Sequence, residues 1–162
     1  MENKKYIKYE HLLNSKQLFE RAKDIDEKYV ISAINECKSI WTNALLRSGT
    51  QEEDLNHKDI IVIHNNIEFS IDIKRNSLKN IKSDNFSLAL KNKTTGKRYN
   101  YNNDNYFAFI DESDDNQTYI YLILQKEIHN ITKNLDKSWT TINKKFIKQN
   151  SIILAPKNNI KQ

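Results

Sequence analysis

The run DIIVIHNNIEFSIDIKRN, from Asp59 to Asn76, is apolar at most positions yet carries Asp59, Asp72 and Lys74. Two carboxylates and an ammonium are residue types that can hold a divalent cation and a phosphate. Mg²⁺ is typically bound through one or two carboxylates together with waters and substrate phosphates. A lysine beside them can touch the phosphate or the attacking water. Whether the three meet depends on strand pairing. With Asn65-Asn66 as a two-residue turn, which Asn permits because it tolerates positive φ, His64 faces Ile67, Ile63 faces Glu68 and Ile61 faces Ser70. Asp59 then lands opposite Asp72. A four-residue loop keeps this register, whereas a three-residue loop shifts it. Alternation sends Ile60, Val62, Ile67, Phe69, Ile71 and Ile73 to a core face, and Asp59, Glu68, Ser70, Asp72 and Lys74 to the other. Opposed Cβ atoms on one face lie about 5 Å apart. Two carboxylates that close repel, one pKa should rise, and a divalent cation would turn the cost into a binding site. The plainer alternative is that Asp59 caps the strand entry while Asp72 and Lys74 lie on a solvated sheet face.

The elements that must position this hairpin are legible in outline. NSKQLFERAKDI reads as a short helix capped by Asn14 or Ser15. Asp26 opens a longer one, DEKYVISAINECKSIWTNALLRSG. In it Val30, Ile34, Cys37, Trp41 and Leu45 recur at helical spacing, widened by Ala33, Ile40 and Ala44. Gly49 is expected to end that helix as a C-cap. A polar loop, TQEEDLNHK, leads into the hairpin. FSLALKN, NYFAFID and TYIYLILQ read as strands, with the acidic DESDDNQ as a hairpin loop. KEIHNITKNL is expected to be helical, and NSIILAP a last strand closed by Pro156. The order predicts a single α/β or α+β domain over 1–162 with a mixed sheet, its core at about 26–125 and a C-terminal helix and strand over 126–156.

Asp59 on one strand and the tripeptide DIK (Asp72, Ile73, Lys74) on its hairpin partner, behind a helix, resemble the PD-(D/E)XK nuclease superfamily, in particular its restriction-endonuclease-like and small resolvase-like members. Lys58 stands where the signature proline would be. The resemblance spans roughly Glu36 to Leu124 and implies a restriction-endonuclease-like mixed sheet flanked by helices. It implies a Mg²⁺-dependent endonuclease, with Mn²⁺ as a substitute, acting on double-stranded or branched DNA as a homodimer. Asp59, Asp72 and the carbonyl of Ile73 would be the metal ligands, and Lys74 would act on the water or the transition state. Glu36 would be the helix-borne outer ligand. The alternatives are an inactive nucleic-acid-binding or regulatory module on the same fold, encoded by a phage or mobile element, and an interaction protein with a polar sheet face.

Other residues carry weaker signals. Glu53 and Asp54 are acidic rivals in a loop. His57 and His64 flank the first strand without a third ligand at zinc spacing. Cys37 lies on the apolar stripe. A basic track of Arg75, Lys79, Lys82, Lys91, Lys93, Lys97 and Arg98, with Tyr99 and Tyr101 interleaved, and a second group at Lys144, Lys145 and Lys148, suit a phosphate backbone. The net charge of +5 and pI near 9.1 point the same way. A lone cysteine excludes an internal disulfide and suggests a reducing cytoplasm. The N-terminal MENKKYIKYEHLL lacks a leader's apolar run, and no stretch is long and apolar enough for a membrane span.

Overall fold

A computed structural model describes residues 15–160, with 15–21 as backbone alone. The expected cap at Asn14 and the N-terminal stretch 1–13 lie outside the described residues, and the alternative cap, Ser15, is already the first helical residue. Helix α1 runs unbroken over Ser15–Glu36. Two helices were expected here. Neither Gly nor Pro interrupts the segment, and an interior Asp costs only a fraction of a kcal/mol.

The helix stops well short of Gly49. Trp41 and Asn43 adopt φ values of 43° and 65°, left-handed conformations that cannot propagate a right-handed helix. The chain emerges as strand β1, Leu45–Ser48. Cys37, Ile40, Trp41 and Ala44 still pack against the core, so the helix-like spacing of apolar residues continues past the helix itself. Gly49 is not a C-cap. Its N–H donates to the Asp59 carbonyl at 2.8 Å, and a Cβ there would stand 2.1 Å from the Lys58 carbonyl oxygen. The glycine permits this close backbone approach. The polar loop that follows contains a short helix, α2, Gln51–Leu55, held by a capping box in which Thr50 and Glu53 bond each other's backbone N–H.

Strands β2, Ile60–His64, and β3, Ile67–Arg75, form the expected hairpin. Asn65 and Asn66 have φ of 51° and 64°, the signature of a type I′ turn. Ile60 pairs with Ile71, Ile61 with Ser70 and His64 with Ile67. After a 3₁₀ turn at Leu78–Asn80 come β4, Asn85–Ala89, β5, Tyr106–Asp111, and β6, Tyr119–Leu124. Helix α3, Gln125–Thr132, β7, Trp139–Asn143, α4, Lys144–Gln149, and β8, Ile152–Leu154, complete the order. The main sheet is β1-β2-β3-β5-β6-β8, with β4 and β7 as a separate pair. Only β3 and β5 run parallel among the paired strands. The fold is therefore mixed α and β around a mixed sheet.

Both faces of that sheet are covered. On one, Val30, Ala33 and Ile34 of α1 meet Ile60, Val62, Ile71, Ala108 and Ile110. On the other, Phe107, Phe109 and Tyr121 meet Phe86, Leu88 and Ile142 of the small sheet, with Ile128 and Ile147 from the short helices. The polar side of the hairpin is thus not a solvated outer face, since Ser70 and Asp72 are 4% and 3% exposed. Ile67, assigned to the core by alternation, is 66% exposed at the hairpin tip, beyond the reach of α1. No helix among the described residues is long and apolar enough to cross a membrane.

Candidate active site

The ladder ends with Ile60 opposite Ile71, and Asp59, one residue before it, lies beside β3 with its carboxylate close enough to act on Asp72. The Asp59 N–H donates to the Ile71 carbonyl at 3.0 Å, and Asp59 Oδ2 accepts from the Ile73 N–H at 2.7 Å. Asp59 thereby pins the strand bearing Asp72 and Lys74. Lys74 Nζ stands 3.1 Å from Asp72 Oδ2. That is an ion-pair distance, so this buried oxygen faces the ammonium of Lys74. Burial pushes the Asp72 carboxyl up to about 7. The Lys74 ammonium works against that rise and the Asp59 carboxylate adds to it. One carboxylate raised by burial and a neighbouring carboxylate is the electrostatic pattern common at functional sites.

Two further carboxylates join from elements that sequence reading did not connect. Glu27 of α1, Asp54 of α2 and Asp59 each offer an oxygen within 4.8 Å of the others. Glu27 is 5% exposed, and burial first, then Asp54, push its carboxyl up to about 7. Glu27 Oε1 and Asp54 Oδ1 are buried without hydrogen-bond partners. Opposite them Lys23 Nζ lies 3.2 Å from Asp54 Oδ2 and 3.5 Å from Asp59 Oδ1. Glu36 does not come to the cluster. It is exposed at the last turn of α1, where it accepts from the Lys157 N–H at 3.2 Å. At 1.5 Å per residue it sits about 13 Å along the helix from Glu27. The signal for Glu27 was present in the sequence, because it falls on the stripe of Val30 and Ile34 at i+3 and i+7. Asp54, considered only as a loop rival, is brought in by the turn at Gly49.

These groups open into a cleft of about 670 Å³, lined by Lys23, Asp54, Asp59, Asp72 and Lys74 among others. A second, more polar cleft of about 370 Å³ adjoins it at His57 and Asp72. His57, at φ 61°, packs edge-on against Tyr99 with ring centres 4.9 Å apart. His64 lies at the far end of β2, beside the hairpin turn. Cys37 packs against the α1 side of the core, as its place on the stripe predicts.

Much of the expected basic track is already engaged. Arg75 is clamped between Asp26, at 2.6 Å, and Glu112. Lys82 pairs with Asp115 at 2.8 Å and Lys91 with Asp136 at 2.7 Å. Arg98 donates to the carbonyls of Leu135 and Thr132 at 2.7 and 2.5 Å. Lys144 is buried on Asp111. Lys79, Lys93 and Lys97 are exposed, as are Lys145 and Lys148. No family model matches the chain, and neither curated proteins nor solved structures give a significant match.

Proposed function

We propose that the protein is a metal-dependent endonuclease of the PD-(D/E)XK type, hydrolysing phosphodiester bonds in DNA. The observation that carries this reading is the convergence of Asp59, buried Asp72 and Lys74 at one cleft, with the two carboxylates close enough to raise the Asp72 carboxyl and Lys74 3.1 Å from Asp72 Oδ2. Carboxylates gathered in the interior are costly, and a hard cation is the partner their chemistry suits. The all-oxygen donor set fits Mg²⁺ or Mn²⁺. Asp59 is common to two sets that could hold it, Asp72 with the Ile73 carbonyl on one side and Glu27 with Asp54 on the other. Such an ion would supply charge neutralisation on the phosphate and a more acidic bound water.

The chain's own residues do the rest. Asp59 fixes the position of Ile73 through its amide. Lys74 keeps a cation on the cleft side of Asp72, within reach of a phosphate oxygen or of the attacking water. Asp72, poised near neutrality, repels an anionic substrate less when protonated and is free to bind a cation when ionised. A helix ahead of a hairpin that supplies a glutamate also agrees with this type of nuclease, with Glu27 in the role expected of Glu36. A homodimer cutting two strands belongs to the same proposal.

One observation favours a second reading. The Lys23 ammonium between Asp54 and Asp59 partly neutralises the cluster without any metal, as expected of an inactive nucleic-acid-binding or regulatory module. Plasmid cleavage separates the two. The nuclease reading expects nicking in Mg²⁺ that EDTA stops and Asp59→Ala abolishes. Metal-independent cutting, or none in Mg²⁺ or Mn²⁺, would leave the second reading.

A further inference from the structure

We propose that the second cleft is a subsite for one unpaired nucleotide beside the scissile phosphate, selective for a carbonyl-rich base such as thymine. The proposal rests on the nuclease reading for the position of that phosphate. The cleft adjoins the carboxylates at Asp72, and its volume of about 370 Å³ lies within the range of small-molecule sites, roughly 300–1,000 Å³.

Its wall has a definite hydrogen-bonding sense. Asn92 Oδ1 accepts from the backbone N–H groups of Thr94 and Thr95 at 2.8 and 3.1 Å. Asn100 Oδ1 accepts from the Asn102 N–H at 3.0 Å, and Asn105 Oδ1 from the Ser70 N–H at 2.9 Å. A backbone N–H can meet only the oxygen of an amide, so these contacts fix which way each side chain points. Asn92, Asn100 and Asn105 line the cleft, and no hydrogen bond among the described residues engages their NH₂ groups. Asn103 and Gln125 bond each other at 2.9 Å, and the Asn103 NH₂ also reaches the Asn100 carbonyl at 3.0 Å. Asn56 is the exception, its NH₂ donating to the Glu52 carbonyl at 3.1 Å; the free groups of Asn92, Asn100 and Asn105 are donors, which complement the O2 and O4 acceptors of thymine. The exocyclic amine of adenine would oppose them.

A flat group also has a place to stack. The Tyr99 and His57 rings meet at 4.9 Å and 78° at the cleft wall, and base–aromatic stacking is the common means of holding an unpaired base. A base still paired within a duplex offers neither its face nor its Watson–Crick edge. The substrate class is accordingly DNA with an unpaired nucleotide at the cut, as at a branch, flap or frayed end.

The test uses binding, so it does not depend on catalysis. Fluorescent oligo-thymidylate, oligo-deoxyadenylate and a fully paired duplex are titrated with the full chain in EDTA. Asn92→Asp and Asn100→Asp keep the oxygen that holds the backbone and replace the donor with an acceptor. Asn102→Asp adds the same charge at an exposed neighbour outside the cleft wall. Oligo-thymidylate should bind most tightly, and the two cleft variants should each lose about tenfold or more, with Asn102→Asp close to wild type. Equal binding of all three ligands, or an equal loss in Asn102→Asp, would overturn the proposal. Failure of the nuclease reading appears separately, as the lack of Mg²⁺-dependent cleavage by a wild type that still binds.

Discussion

Replacing Asp72 with asparagine should stabilise the metal-free protein above neutral pH, although it removes the charge that pairs with Lys74. Burial and Asp59 hold the Asp72 carboxyl at about 7 in the folded chain, against 3.8 for an unperturbed aspartate. The folded chain therefore keeps a proton that the unfolded chain releases, and stability falls as pH rises between about 4 and 7, then levels off. At about 1.4 kcal/mol for each tenfold change in proton affinity, the full loss is roughly 4 kcal/mol. Asparagine does not ionise and escapes this loss. It forfeits the ion pair with Lys74, whose side chain is 23% exposed and can hydrate instead, a cost of roughly 0–1 kcal/mol. A net gain of up to about 3–4 kcal/mol at pH 8 follows, with little difference between the proteins at pH 4. Urea denaturation in EDTA at both pH values measures it. Glu27 titrates in the same direction and persists in the variant, so the decisive quantity is the difference between the two proteins. Adding Mg²⁺ at pH 8 should offset much of this gain, since a ligand at a hundredfold its Kd adds about 2.7 kcal/mol to the wild type and little to the variant. Asp72→Asn less stable than wild type at pH 8 in EDTA, with equal Mg²⁺ shifts in both, would refute the reasoning.

Three further outcomes follow from particular contacts. Lys23→Met removes the ammonium beside Asp54 and Asp59; it should lower the melting temperature in EDTA and enlarge the stabilisation by Mg²⁺, measured by calorimetry. Gly49→Ala forces a Cβ against the Lys58 carbonyl and should cost about 1–3 kcal/mol in urea denaturation. Combined alanine substitution of exposed Lys79, Lys93 and Lys97 should flatten the salt dependence of DNA binding by up to about 0.9 in log–log slope for each lysine that meets a phosphate. Lys91→Ala, which breaks an existing ion pair with Asp136, should change that slope little.

The hairpin was legible because its information is local. Asn65-Asn66 selects the turn, the turn sets the register, and the register brings Asp59, just before Ile60, to the side of Asp72. The strands β5 and β6 were legible for the same reason, through dense apolar runs either side of an acidic loop. What escaped depends on contacts distant in sequence. Leu45–Ser48 looked helical because its apolar residues continue the spacing set by Val30 and Ile34, and the break at Trp41 and Asn43 uses neither Gly nor Pro. Strand β7 and helix α4 lacked a strong apolar period, and the small sheet exists only because β7 finds β4 across the chain. Glu36 follows from family-like order alone, and the helical stripe that points to Glu27 went unused. Arg75 looked like a phosphate contact because Asp26 and Glu112, which neutralise it, lie far from it in sequence.

The central claim is that Asp59, Asp72 and Lys74 form one hydrolytic site. Its most direct measurement is the rate of cleavage of labelled branched DNA by wild type and Lys74→Ala, side by side in Mg²⁺, with circular dichroism to show that both are folded. Cleavage by the wild type, stopped by EDTA and slowed about 10²–10³-fold in a folded Lys74→Ala, is the predicted result. A folded Lys74→Ala that cuts at the wild-type rate would contradict it.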